Sequence, residues 1–274
     1  MQELIRARTK ALSDDVRRVL AAAAVLGRPF DTRLLRTIGG QTEPELIQVL
    51  DQLVKKGFLR ERDAPFPEPA LDFQHEYIRQ SIYEQLGAIQ RRALHRRAAE
   101  ALLAHYRARP DRIIEEVAFH FELAEESRAI PHLVQAAKQA AGLFAFGHAV
   151  DLYTRALEAL RVHFPDQLDR QFELLLARES VFDSQGRRAK QAEDLAALAE
   201  LAKNTSDRGL EAEARVRQAG FLAYTGKFEA ARRAGEAALD LYRAIGNRDG
   251  EAQAMRELGF IHWREEDFGT ALNY

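Results

Sequence analysis

The 274-residue sequence predicts a mostly α fold in two parts, a three-helix unit carrying a small β wing and then an α-α superhelical solenoid built from helix pairs. Three observations predict it. Ala supplies 46 residues and Leu 34, and the last of the 8 prolines is Pro165, so helix is favoured throughout and the second half runs uninterrupted. Alternating apolar-polar patterning is confined to two short runs between residues 58 and 74. The C-terminal third repeats itself at an offset of 40 residues. The balance of 40 Lys plus Arg against 42 Asp plus Glu describes a surface of mixed sign, without the basic excess of a nucleic-acid binder. With no Cys, disulfide scaffolds, thiol nucleophiles and cysteine-ligated metals are excluded, and a reducing compartment, the cytoplasm, is expected. No apolar run approaches the ~18 residues of a membrane span, and the start, MQELIRARTKALSDD, lacks the apolar centre of a secretory signal.

Residues 1–12 read as the end of a preceding helical segment, and the first unit covers 13–86. Ser13 before Asp14 and Asp15 is an N-cap followed by acidic residues at a helix's positive end, and Val16, Val19, Leu20, Ala23 and Leu26 recur at helical spacing. Gly27 with Pro29 ends that helix. A second helix fits 31–38, ahead of Gly39 and Gly40. A third runs from its N-cap Thr42 to Lys56, with Pro44 and Glu45 in the first turn and an apolar stripe of Leu46, Val49, Leu50 and Leu53. After Gly57 the run FLRER (58–62) changes to period 2, APFPEPA (64–70) is a loop, and LDFQ (71–74) is a returning strand. Three helices and a two-stranded wing make a winged helix. From His75 to Leu86 the pattern is helical again. Residues 87–126 then form a helical connector, whose helix 89–107 carries Arg91, Arg92, Arg96, Arg97 and Arg107, with Pro110 ahead of a further helix over 112–124.

Residues 127–274 hold the repeats. The offset of 40 pairs Arg208 with Arg248, Glu211 with Glu251, Ala212 with Ala252, Phe228 with Phe268, Ala231 with Ala271 and Gly186 with Gly226. Two helices per unit at such a period indicate a solenoid, in which no unit buries its apolar face alone. The segment AMRELGFIHWREEDFGTAL (254–272) places Met255, Leu258, Gly259, Phe268 and Ala271 so that it resembles a tetratricopeptide repeat, and AFGHAVDLYTRALEAL (145–160), with Phe146, Ala149, Tyr153, Ala156 and Leu157, resembles a second helix of that family. Glu266 stands where the turn glycine belongs, and the unit 167–204 matches weakly. The last unit stops two residues after Leu272, so a fragment of a longer protein is expected, its last repeat truncated.

Chemistry is sparsely signalled. GFLAYTGK (220–227) has five residues between its two glycines where a phosphate loop needs four, and Phe228 where Ser or Thr should hold magnesium; it reads as a turn between repeat helices. HEYIR, from His75, lacks the second His of a zinc helix, and no serine has a nucleophile setting. No catalytic residue, no metal site and no enzyme activity is expected. The third helix would expose Glu43, Glu45, Gln48, Asp51 and Gln52, whose carboxylates oppose DNA phosphates, so direct DNA binding is disfavoured and a DNA-binding regulator acting through the winged helix is the alternative. The arginines of 91–107 read as a solvated face. On the concave face, supplied by the first helices of the repeats, Tyr224, Arg256, Phe260, Trp263 and Arg264 suit recognition of a protein or peptide; the competing reading packs Phe260 and Trp263 against a further helix.

The succession LSDDVRRVLAAAAVLGRPFD (12–31), LDQLVKKGFLRE (50–61), LDFQHEYIRQSIYEQL (71–86), RRALHRRAAEALLAHY (91–106) and VAFHFELA (117–124), ahead of the repeats, resembles the region that follows the ATPase module in STAND-type signal-transduction ATPases, including ATP-dependent LuxR-type transcription regulators. The resemblance implies a winged helix that couples an upstream ATPase module, in cis, to a helical-repeat sensor binding a partner or small-molecule inducer. ATP or ADP is implied for that module, and no cofactor for this fragment. Phe73, His75 and Glu76 resemble the Met-His-Asp motif of related switch ATPases, with Gln74 where Met belongs, so His75 is implied as a nucleotide contact; a histidine satisfied inside the winged helix is the other reading.

Overall fold

The structure, a computed structural model, describes residues 2–27, 30, 32–62, 70–107 and 110–274. Pro29, Asp31 and residues 64–69 of the expected loop lie outside the described residues. The chain forms two compact units, 1–133 and 134–274.

The first unit opens with α1 (Gln2–Lys10), which packs on α5 (Glu76–Gln85) and buries Ile5. The Arg8 guanidinium reaches the Lys56 carbonyl and lies 4.7 Å from the centre of the Phe58 ring, so this segment belongs to the packed unit. Next come α2 (Asp14–Leu26), α3 (Thr32–Gly39), α4 (Glu43–Lys55) and the strands β1 (Leu59–Arg62) and β2 (Ala70–Phe73). The strands pair antiparallel with Leu59 opposite Phe73 and Glu61 opposite Leu71. The element order expected of a winged helix is therefore present, and each expected boundary falls within two residues of the observed one. Ala21 to Ala24 are all buried on α2, where the absence of long side chains lets neighbouring helices approach. The expected N-cap Ser13 starts α2 without a side-chain hydrogen bond to the helix.

The helices α6 (Ala88–His105) and α7 (Ile114–Leu123) follow, with a 3₁₀ turn (Pro110–Arg112) between them. α6 packs on α2, α3 and α7 and buries Leu94, Ala98, Ala99 and Leu102, so it is a wall of the first unit. The α6–α7 contact encloses two histidines. His95 Nδ1 lies 2.8 Å from His120 Nδ1, and the Tyr83 hydroxyl is 3.0 Å from His95 Nε2. Burial pushes both imidazoles down to about 4, with Arg91 adding to the effect at His95 and His95 at His120.

The division between the units falls inside α8 (Ala129–Gly142). In the second unit α9 (Phe146–His163) precedes three near-copies of one pattern: α10 (Leu168–Ser184) with α11 (Arg188–Thr205), α12 (Arg208–Tyr224) with α13 (Phe228–Ala244), and α14 (Arg248–Arg264) with α15 (Phe268–Ala271). The first helices start at 168, 208 and 248 and the second at 188, 228 and 268, so the 40-residue offset read from sequence is the structural period. Each turn from first to second helix passes through a left-handed residue: Gly186 (φ 66°), Gly226 (φ 78°) and Glu266 (φ 63°). Asp207 and Asn247, one period apart, cap α12 and α14 by accepting backbone N–H bonds. Small residues set helix spacing. A Cβ on Gly250 would meet the Tyr242 ring at 2.3 Å, and one on Gly235 would meet Leu258 Cδ2 at 2.8 Å. Leu258, Ala254 and Ile261 of α14 and Ala231, Ala238 and Tyr242 of α13 are buried together; full burial of one such leucine contributes roughly 1.5–3 kcal/mol.

Candidate partner-binding groove

The first helices α10, α12 and α14 line a groove of about 320 Å³ in the second unit. Tyr224, Arg256 and Phe260 line it, three of the five residues expected on the concave face. The other two are joined to it through the rings. Phe260 lies between Tyr224, with centroids 5.7 Å apart and planes tilted by 42°, and Trp263, on which it stacks with centroids 6.0 Å apart and planes within 23°. The Arg264 guanidinium lies 5.3 Å from the Tyr224 centroid and 6.0 Å from that of Phe260, and Arg188 covers Tyr224 at 4.9 Å. Tyr224, Phe260, Trp263, Arg188 and Arg264 thus form one lattice of rings and guanidinium groups. Trp263 stays 56% exposed, as a side chain available to a partner must be.

The groove's polar floor was not foreseen from the sequence. Glu179 on α10 is completely buried, and its carboxylate accepts from Gln191 Nε2 at 2.6 Å and from Arg217 Nε at 2.8 Å. One period later the Glu179 position holds Ala219 and then Gly259, while the Gln191 position holds Ala231 and then Ala271. In this unit a buried polar pair therefore replaces the small pair that seats the second helix on the first, which is why 167–204 matches the repeat pattern weakly. Carrying the register back by 40 would have exposed both substitutions. Nearby, Arg178 grips Asp194 with two bonds, of 3.0 and 2.6 Å, and donates to Thr154 Oγ1 at 2.8 Å.

Charges that remain open face the groove. Asp183 is ion-paired with Arg188. Arg256 is exposed at the groove and, among the described residues, has no carboxylate within ion-pair distance. Glu257 also lines the groove, without a hydrogen bond or ion pair among the described residues. Burial raises its pKa, Arg217 and Arg256 oppose the rise, and Asp183 adds to it. Gly220 makes room for it, since a Cβ there would lie 2.9 Å from Glu257 Oε1.

In the first unit His75 is the N-cap residue of α5, exposed, with φ −143° and no side-chain bond to the helix. α4 exposes Glu43, Glu45, Gln48, Asp51 and Gln52; Glu45 accepts the Thr42 N–H at 2.8 Å, which lowers its pKa, and Glu43 pairs with Arg36 at 2.9 Å. On α6, Arg92 pairs with Glu125, Arg96 pairs with Glu126, and Arg91 lies over Tyr83, so those arginines are engaged within the unit. Among the described residues no three His, Asp or Glu side chains converge as metal ligands, and no helix is long and apolar enough to cross a membrane.

Residues 210–274 match the tetratricopeptide repeat family. No curated protein sequence matches the chain. Among solved structures it is similar to the apo form of RapI, at 11% identity over 63% of this chain and 64% of that one, with a TM-score of 0.50. It is also similar to a Rap protein complexed with competence and sporulation factor, at 12% identity over 99% of this chain and 67% of that one (TM-score 0.48). A third is a signal transduction ATPase with numerous domains carrying a tetratricopeptide repeat sensor, from Pyrococcus horikoshii, at 13% identity over 100% of this chain and 45% of that one (TM-score 0.43). The chain thus spans less than two thirds of the length of RapI, and its likeness to RapI is one of helical-repeat fold.

Proposed function

We propose that this chain is a noncatalytic regulatory and protein-interaction fragment of a larger STAND-type ATPase or transcription regulator. A winged helix over 13–86 couples the nucleotide state of an ATPase module, upstream in cis, to a repeat array that binds a protein or peptide partner or a small-molecule inducer, in the cytoplasm. The observation that carries the binding half is the lattice of Tyr224, Phe260, Trp263, Arg188 and Arg264 at a groove of the matched repeats. Exposed aromatic rings flanked by guanidinium groups are the side chains that dominate interface energetics.

The coupling half rests on the sequence resemblance and on the position of His75. An exposed imidazole at a helix start, beside that helix's unpaired N–H groups, is where a nucleotide phosphate would be held. The exposed carboxylates of α4 speak against reading DNA through that helix.

Selection of random peptides displayed on phage, counter-selected on the Tyr224→Ala/Phe260→Ala variant, tests the binding half. Peptides that hold the parent protein and lose at least tenfold in affinity for the variant are expected; peptides indifferent to the double substitution would remove the groove from the proposal. For the coupling half, His75→Ala in a protein that contains the ATPase module is expected to shorten ADP retention, and unchanged retention would discard that contact.

A further inference from the structure

We propose that the groove selects an acidic peptide segment, an extended strand whose two carboxylates meet Arg256 and Arg264 while an apolar or aromatic side chain between them lies on Phe260 and Trp263. The inference rests on the reading of this face as a peptide-binding surface and adds the chemistry of its ligand.

A simple count points the other way, because Glu179, Asp183 and Glu257 line the groove against Arg217 and Arg256. Pairing decides instead. Glu179 is bound by Arg217 and Gln191, and Asp183 by Arg188, so these carboxylates have little attraction left for a ligand. The unneutralised groups are Arg256, Arg264 and Glu257. The Arg264 guanidinium lies over the Tyr224 and Phe260 rings, which holds it at this face, and no carboxylate among the described residues pairs with it. Glu257, whose burial disfavours its charged form, is the weaker of the open charges and the one that opposes an anion. Two guanidinium groups against one carboxylate leave the face selective for negative charge.

The spacing sets the register of the ligand. Arg256, Phe260 and Arg264 follow one another four residues apart on α14, a stripe on one face. The two arginines are about 12 Å apart along the axis at ~1.5 Å per residue. In an extended peptide rising ~3.3 Å per residue, carboxylates four residues apart match that distance, with the middle residue over the rings.

The chain's single tryptophan is Trp263, so its fluorescence reports arrival at this face. The probe is the acetylated and amidated pentapeptide Glu-Gly-Phe-Gly-Glu, compared with versions carrying Gln or Lys at both Glu positions. A saturable change in Trp263 emission is expected with the acidic probe, with at least tenfold weaker binding of the other two. Arg256→Gln and Arg264→Gln, with unchanged circular dichroism, should each weaken the acidic probe at least fivefold, and Glu257→Gln should strengthen it. Equal or tighter binding of the Gln or Lys versions, or no response to the acidic probe at millimolar concentration, would overturn the acidic assignment. Non-acidic peptides recovered in the phage selection would then leave the groove reading standing, whereas recovered peptides indifferent to Tyr224 and Phe260 would take that reading down as well.

Discussion

Glu179 shows how one buried charge alters a repeat. Its carboxylate has no exposed surface and takes its hydrogen bonds from Arg217 and Gln191. Removing it strands the Arg217 guanidinium beside an apolar gap, so Glu179→Ala is expected to lower the stability of the second unit by about 3 kcal/mol in urea unfolding, in line with broken buried ion pairs. Adding Gln191→Ala and Arg217→Ala removes the stranded partners and recreates the small pair found one period later, so the triple variant should recover more than half of that loss; additive losses would show that the three do not act as one network. Arg256, Phe260, Trp263 and Arg264 were legible in the sequence because they stand at helical spacing on one first helix, and Tyr224 because it ends the first helix of the unit before, whereas Arg188, on a second helix, gave no such signal. Glu179 was not, since an isolated Glu in a charged helix is indistinguishable from a solvated one until the register shows it in a glycine's place.

The elements were the most legible part, because their ends are punctuated. Gly186 and Gly226 mark turns whose left-handed φ an ordinary side chain adopts at a cost, while Glu266 adopts the same conformation at φ 63°. A Cβ on Gly226 would meet no atom within 4 Å, so Gly226→Ala tests backbone strain alone and should cost about 1 kcal/mol in thermal or urea unfolding. Glu266→Gly is expected to act in the opposite direction by a similar amount; a loss there would mean that the Glu266 side chain contributes more than its backbone strain takes away. Less legible was the fate of 87–107. Its arginines suggest a solvated connector, but the face between them carries Leu94, Ala98, Ala99 and Leu102, whose burial makes α6 part of the first unit's core.

At the scale of the whole chain, the two units should respond differently to acid. His95 and His120 belong to the first unit and hold pKa values of about 4, well below the ordinary 6.5. Between those values the unfolded chain binds protons that the folded one does not, so stability is fully present above about pH 6.5 and declines as pH falls toward 4, by on the order of 3 kcal/mol per site. Hydrogen exchange followed by mass spectrometry should accordingly rise across α6 and α7 before it rises across α12 to α14, and His120→Leu should flatten the pH dependence of α6 and α7. Equal acid sensitivity in both units would show that the histidine pair does not govern the response. Neither histidine stands out in the sequence, because their meeting depends on the packing of α6 on α7 rather than on any spacing along the chain.

The Glu179–Gln191–Arg217 bonds also give the array an address. Units that share a 40-residue period present similar faces and could stack out of order, as any repetitive chain can. A slipped pairing that set α14 against α10 would place Glu257, aligned with Arg217 in the register, beside the buried Glu179, bringing two carboxylates together. That mismatch makes the wrong order costly, so a chain of look-alike helices assembles in one sequence only.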